Sequence, residues 1–191
     1  MKHEIEATFL SVNKNSVRAK LKKAGFELKI PEYMMQRKTF GFSIISGRKK
    51  WGRVRQEFDK VTMTIKEIRG SGINDTYEIE LVVNDFNTAV SFFEACGIPA
   101  KAFQENRREV WIRDKIEATI DTWPGLNPFV EIEGIDEKIV RKISNDLGFD
   151  FEKATFGSID LVYEKELKIP AKTIIDLPEI TFSNPPNKNA V

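Results

Sequence analysis

The chain of 191 residues has a single cysteine and a single histidine. One cysteine excludes an internal disulfide and any cysteine-built zinc site. Cys96 lies in an apolar helical context beside Phe92 and Phe93 and reads as a buried structural thiol. His3 falls with the apolar residues of its strand and reads as a structural or surface group. No apolar run approaches the ~20 residues of a membrane span, and the N-terminus lacks a signal-peptide core, so the expected place is the cytoplasm, with no membrane partner. An excess of one charge is also missing: 30 Lys and Arg stand against 29 Asp and Glu, a formal net charge of +1. A general nucleic-acid binder would carry a basic surplus, so nucleic acid is not an expected partner. The charges are many and balanced, and they must be organised locally.

What the sequence has in quantity is alternation. In Glu4-Ile5-Glu6-Ala7-Thr8-Phe9 the carboxylates share one face of a strand and the apolar residues share the other, because successive side chains point to opposite sides. The pattern returns in Gly52-Arg53-Val54-Arg55, Met63-Thr64-Ile65-Lys66, Tyr77-Glu78-Ile79-Glu80-Leu81, Ala118-Thr119-Ile120-Asp121 and Phe129-Val130-Glu131-Ile132-Glu133. Further strands are expected over 26–28 and, after a break at Pro31, over 33–42, where Met35, Arg37 and Thr39 share a face, and over 106–113. Amphipathic helices are expected over 13–24, 85–95 and 136–147, stopped by Gly25, Gly97 and Gly148, with a short fourth over 158–167. Residues 46–50 read as a solvated basic turn, or alternatively as a basic flap over an anionic ligand. Trp51, Trp111 and Trp123 read as packing residues. The organisation expected is one domain over 1–167 and a tail over 168–191, disordered from Ser183.

The strand faces point to a site. About eight antiparallel strands can curl into a closed barrel. If helices cover its apolar face, the charged face lies inside. A folded domain is stable by only ~5–15 kcal/mol and each unpaired buried charge costs several, so a dry interior of ten charges would not survive. The fold expected is therefore α+β: a closed eight-stranded antiparallel barrel, a wet tunnel with a charged lumen, and helices packed outside. Carboxylates suit hard divalent cations such as Mg²⁺ or Mn²⁺. Arginines suit phosphate oxygens through bidentate geometry, and lysine as a point charge. Together they describe a site for a metal-bound polyphosphate.

These residues resemble the CYTH superfamily, the triphosphate tunnel metalloenzymes, which includes class IV adenylate cyclases, thiamine triphosphatases and inorganic triphosphatases. The resemblance spans roughly residues 2–165 and rests on Glu4-x-Glu6, Arg53-x-Arg55, Lys66, Glu78/Glu80, Arg107/Arg108, Asp121 and Glu131-x-Glu133. It implies that Glu4, Glu6, Glu78, Glu80, Asp121, Glu131 and Glu133 are metal or metal-water ligands. It implies triphosphate contacts at Arg53, Arg55, Lys66 and the pair Arg107/Arg108, of which either could face inward. Glu4, Glu6, Lys66 and Asp121 would carry the chemistry. One position departs: the family's opening motif has a lysine where this chain has Thr8, which can donate a hydrogen bond but brings no positive charge.

The resemblance implies metal-dependent phosphoanhydride hydrolysis of an inorganic, nucleoside or thiamine triphosphate. The alternatives are cyclisation of ATP to cyclic AMP and pyrophosphate, or triphosphate binding without turnover, by a monomer or a homodimer. A lipocalin-like binder of apolar ligands is disfavoured, since its lumen would need the opposite face inside.

Overall fold

The computed structural model describes residues 1–42 and 49–187. Ten strands form one sheet: β1 (Lys2–Glu4), β2 (Glu6–Phe9), β3 (Glu27–Gly41), β4 (Lys49–Gln56), β5 (Val61–Ile68), β6 (Thr76–Val83), β7 (Ala100–Arg113), β8 (Ile116–Thr122), β9 (Phe129–Glu133) and β10 (Glu179–Ile180). The helices are α1 (Lys14–Lys23), α2 (Phe86–Ala95), α3 (Glu137–Asp146), α4 (Ile159–Leu167) and α5 (Ala171–Asp176). Pairing runs β1-β6-β5-β4-β3-β7-β8-β9-β2, antiparallel throughout, and β10 joins β7 in parallel. The two ends of this path are the two halves of the N-terminal stretch, parted only at Ile5. With β1 and β2 counted together and β10 set aside, eight main strands remain. Among the described residues the path is not closed by a hydrogen-bonded ladder.

The alternation decides what each face meets. Ala7, Phe9, Trp111, Ala118, Ile120, Val130 and Ile132 turn to one side and pack against Val17 and Leu21 of α1 and Val140 and Ile143 of α3. Each such aliphatic or aromatic side chain, taken fully from water, contributes ~1.5–3 kcal/mol. Arg18 of α1 locks this layer to β7, donating to the buried Glu109, which also accepts from the Trp111 indole. Asn13, Asp85 and Asp136 cap α1, α2 and α3 by accepting from backbone N–H groups three residues on. At the far end of α1, Gly25 takes φ +80, and the amides of Gly25 and Phe26 return to the carbonyls of Lys22 and Leu21, so the orphan carbonyls are satisfied as Phe26 turns into the core.

Several expectations are corrected. Pro31 does not end a strand: β3 runs through it, with register shifts between Leu28 and Ile30 and between Ile30 and Tyr33. A residue without an N–H can be absorbed where the ladder is already irregular. Cys96 is exposed, because α2 buries Ala89 and Phe93 and ends one residue before it. The helical cover is incomplete: Ile79 and Leu81 on the outer side of β6 are about half exposed, at 48% and 55%. Residues 168–187 are not a loose tail. Ile169, Ile174 and Ile180 complete a second core with Trp123, Leu126, Phe129, Val162 and Tyr163, and hydrogen bonds between Thr181 and Asn184 hold the start of the stretch expected to be disordered from Ser183. The basic turn over 46–48 lies outside the described residues, as do 188–191; Lys49 and Lys50 open β4.

Candidate active site

The other face of the sheet borders two adjoining cavities. The larger, of about 880 Å³, is lined by Glu4, Glu6, Arg53, Arg55, Glu78, Glu80, Arg108, Glu131 and Glu133, together with Tyr33, Glu57 and apolar groups such as Val110 and Ile112. The smaller, of about 120 Å³, shares Glu4, Glu6, Arg53, Arg55, Arg108 and Glu131 and adds Arg37, Lys66 and Trp123. Ten of the site residues expected from the sequence thus meet in one connected space, drawn from seven strands.

Two do not. Arg107 points to the opposite face, its guanidinium 5.0 Å from the Phe182 ring centre, so the ambiguity in the basic pair resolves to Arg108. Asp121 lines neither cavity. It is fully buried and accepts from Asn106 Nδ2 at 2.6 Å, Arg108 Nε at 2.9 Å, Arg108 Nη2 at 2.7 Å and Thr119 Oγ1 at 3.0 Å. A carboxylate so saturated serves as the anchor of Arg108, whose Nη2 also reaches Glu131 at 2.7 Å. Thr8 is buried too, its backbone bridged to Thr155 in both directions, and borders neither cavity.

Several of the remaining charges are paired. Lys66 Nζ donates to the Glu4 carboxylate and stands 3.6 Å from Glu78. Arg55 meets Glu57 at 2.8 Å and Glu80 at 3.6 Å, and Glu80 accepts from Thr64 at 3.2 Å. These pairs set the protonation states. Burial works to raise the pKa of Glu4, but the Lys66 ammonium outweighs it and holds the group below the ordinary value. Burial, with the neighbouring carboxylates of Glu4, Glu131 and Glu133, pushes Glu6 well above that value. Glu131 is raised to about 7 by burial, against the opposing pull of Arg108. Arg53, buried beside Arg55, is lowered to about 10.

Among the described residues no three His, Cys, Asp or Glu already stand in metal-holding geometry. The donor chemistry nonetheless fits a hard cation: Glu6 is crowded by Glu4, Glu131 and Glu133, and that repulsion is what a divalent ion among carboxylate oxygens relieves.

Sequence reasoning missed Arg37, Glu57 and Asn106. Arg37 carried a readable signal, since it shares a face with Thr39 and alternates as Arg53 and Arg55 do. Only the pairing of β3 with β4, which sets Arg37 opposite Arg55 and Thr39 opposite Arg53, shows that this face is the inner one. Glu57 lies just past the end of β4, where strand periodicity stops being a guide.

No family model matches the chain, and no curated protein matches it in sequence. Solved structures do. A protein from Pyrococcus horikoshii is 23% identical, with 79% of this chain and 93% of that one covered and a TM-score of 0.66. A candidate adenylate cyclase from Vibrio parahaemolyticus is 13% identical, covering 88% and 99%, with a TM-score of 0.68. A candidate adenylyl cyclase from Hippeastrum, described as having a dominant triphosphatase activity, is 12% identical, covering 85% and 95%, with a TM-score of 0.53. These likenesses show the fold.

Proposed function

We propose that this chain, with the fold of those cyclase- and triphosphatase-type structures, is a metal-dependent enzyme that hydrolyses a phosphoanhydride bond of a triphosphate held in a tunnel made by the curled sheet. The observation that carries the reading is the meeting of Glu6, Arg55 and Glu133, from three strands, on one cavity. Acids and bases so close, in a space of about 880 Å³, match a ligand that is itself an anion with its cations.

Each side chain has a task. Arg53 and Arg55 present planar forks to phosphate oxygens, and Lys66 adds a compact charge. Arg108, held at two points by Asp121, is preorganised toward charge that develops on the transferred group, so little reorganisation is required as the bond breaks. Glu6, with Glu4, Glu131 and Glu133, would hold Mg²⁺ or Mn²⁺, which supplies charge neutralisation and Lewis-acid activation when bound. A carboxylate of this cluster that is not bound to the cation would accept the proton of the attacking water.

A second reading, cyclisation of a nucleoside triphosphate, is favoured by the size of the larger cavity, which exceeds what a bare triphosphate needs and lies in the range of small-molecule sites, ~300–1,000 Å³. Product analysis separates the readings. The protein is offered inorganic triphosphate, ATP and thiamine triphosphate with Mg²⁺ and with Mn²⁺. Orthophosphate is the expected product. Cyclic AMP with pyrophosphate would establish the cyclase instead, binding without product would make the chain a triphosphate sensor, and no binding at all would end the reading.

A further inference from the structure

On the triphosphate reading just given, we propose that the smaller cavity is a subsite for an unsubstituted terminal phosphoryl group, gripped by Arg37 and Arg53, so that a linear triphosphate binds with its free end there and any organic substituent in the larger cavity.

Arg37 is 6% exposed, and among the described residues it forms no ion pair. Its Nη2 donates to Asn106 Oδ1 and lies 3.1 Å from Met35 Sδ, and its guanidinium sits 4.5 Å from the Trp123 ring centre. In the β3–β4 register it stands directly opposite Arg55. Like charges placed directly opposite across an antiparallel pair repel. Burial and the cations of Arg53, Arg55 and Arg108 accordingly push its pKa well below the ordinary arginine value. A sheet that keeps this arrangement buried keeps it for an anion.

The polar atoms say where the anion sits. Arg37 Nε and Arg53 Nε are both buried without a hydrogen-bond partner among the described residues. Such donors are costly unless something occupies them. Both side chains border the smaller cavity, whose charged lining is five cations to three carboxylates, whereas the larger is acidic on balance. The smaller cavity's volume is about 120 Å³. It is about a seventh of the larger cavity, so of the two spaces it is the larger one that suits a base and ribose. Arg37 also brings from β3 a positive charge of the kind that Thr8 does not bring from β2.

The test compares two inorganic probes of three phosphorus atoms each: linear tripolyphosphate, with free terminal phosphoryl groups, and cyclic trimetaphosphate, with none and with less charge. Binding is measured by calorimetry on the full chain, with Mg²⁺ and again with a chelator, for wild type, Arg37→Gln, Arg37→Lys and Arg55→Gln. Wild type is expected to prefer the linear probe by at least ~10-fold. Arg37→Gln should lose roughly 10- to 100-fold for the linear probe and little for the ring, with Arg37→Lys between. A purely structural arginine would leave the linear-to-ring ratio unchanged, and that result overturns the subsite; Arg37→Lys carries the same comparison should Arg37→Gln not fold. Loss in Arg55→Gln with none in Arg37→Gln removes this inference and leaves the triphosphate reading standing. Wild type binding neither probe under either condition removes both.

Discussion

Asp121 and Arg108 show how a single residue can matter to a site it never touches. Asp121 has no exposure and takes four hydrogen bonds, two of them from Arg108. Asp121→Ala should therefore cost ~3–5 kcal/mol in urea unfolding, because it leaves a largely buried guanidinium short of its partner. Triphosphate affinity should fall with it as Arg108 loses its position. Glu57 offers a cleaner view of charge. Its burial alone would raise the pKa, but Arg55, the Thr62 hydroxyl and Lys60 together hold it below the ordinary 4.5. A carboxylate lowered in the folded state contributes stability above its unfolded value, and that contribution is lost as pH falls through the folded value. Glu57→Gln should thus be less stable than wild type at neutral pH, and its stability should decline less steeply between about pH 5 and pH 3. Chemical denaturation across that range reads both effects.

At the scale of elements, strands and helices were legible wherever a period repeated. The alternation in 4–9, 118–121 and 129–133 foretold which side chains meet the helices, and the apolar periods over 13–24, 85–95 and 136–147 with their glycine stops foretold the helices themselves. The C-terminal elements were not legible in the same way. Ile169, Ile174 and Ile180 follow no helical or strand period, so their burial at 2%, 1% and 0% depends on the surface they meet. α5 and β10 cover Trp123 and Phe129, the same layer that carries the ring beneath Arg37. A chain truncated after Leu167 should lose at least ~4 kcal/mol, counting ~1.5–3 for each aliphatic side chain removed from the core. Thermal denaturation should show a melting point lower by ~10 °C or more, or insoluble protein. An unchanged melting point would mean that the segment is no part of the domain.

At the scale of the whole molecule, the connected cavities bring acids and bases together, and the two sets answer to different perturbations. Chelation should abolish turnover of inorganic triphosphate and leave the folded state intact, since the carboxylates of Glu4, Glu80 and Glu131 are already partnered by Lys66, Arg55 and Arg108. Glu133→Gln should lower turnover by ~100-fold or more while changing the melting point little; turnover at the wild-type rate would remove Glu133 from the metal set. The exposed Ile79 and Leu81 show where whole-molecule reasoning went too far, for α2 packs on β4 and its neighbours and does not reach across β6.

The sequence by itself determined the partition of each strand into an ionised and an apolar face, because side-chain direction in a strand is a local matter with a period of two. It therefore determined that Glu6, Arg55 and Glu133 would lie on faces of the same kind. Only the tertiary structure decided which of those groups meet. Register placed Arg37 opposite Arg55 and chose Arg108 over Arg107, and a crowd of donors drew Asp121 out of the cavity to hold Arg108 in it. Those outcomes depend on pairings between residues on different strands, more than a dozen positions apart, and no local period records them.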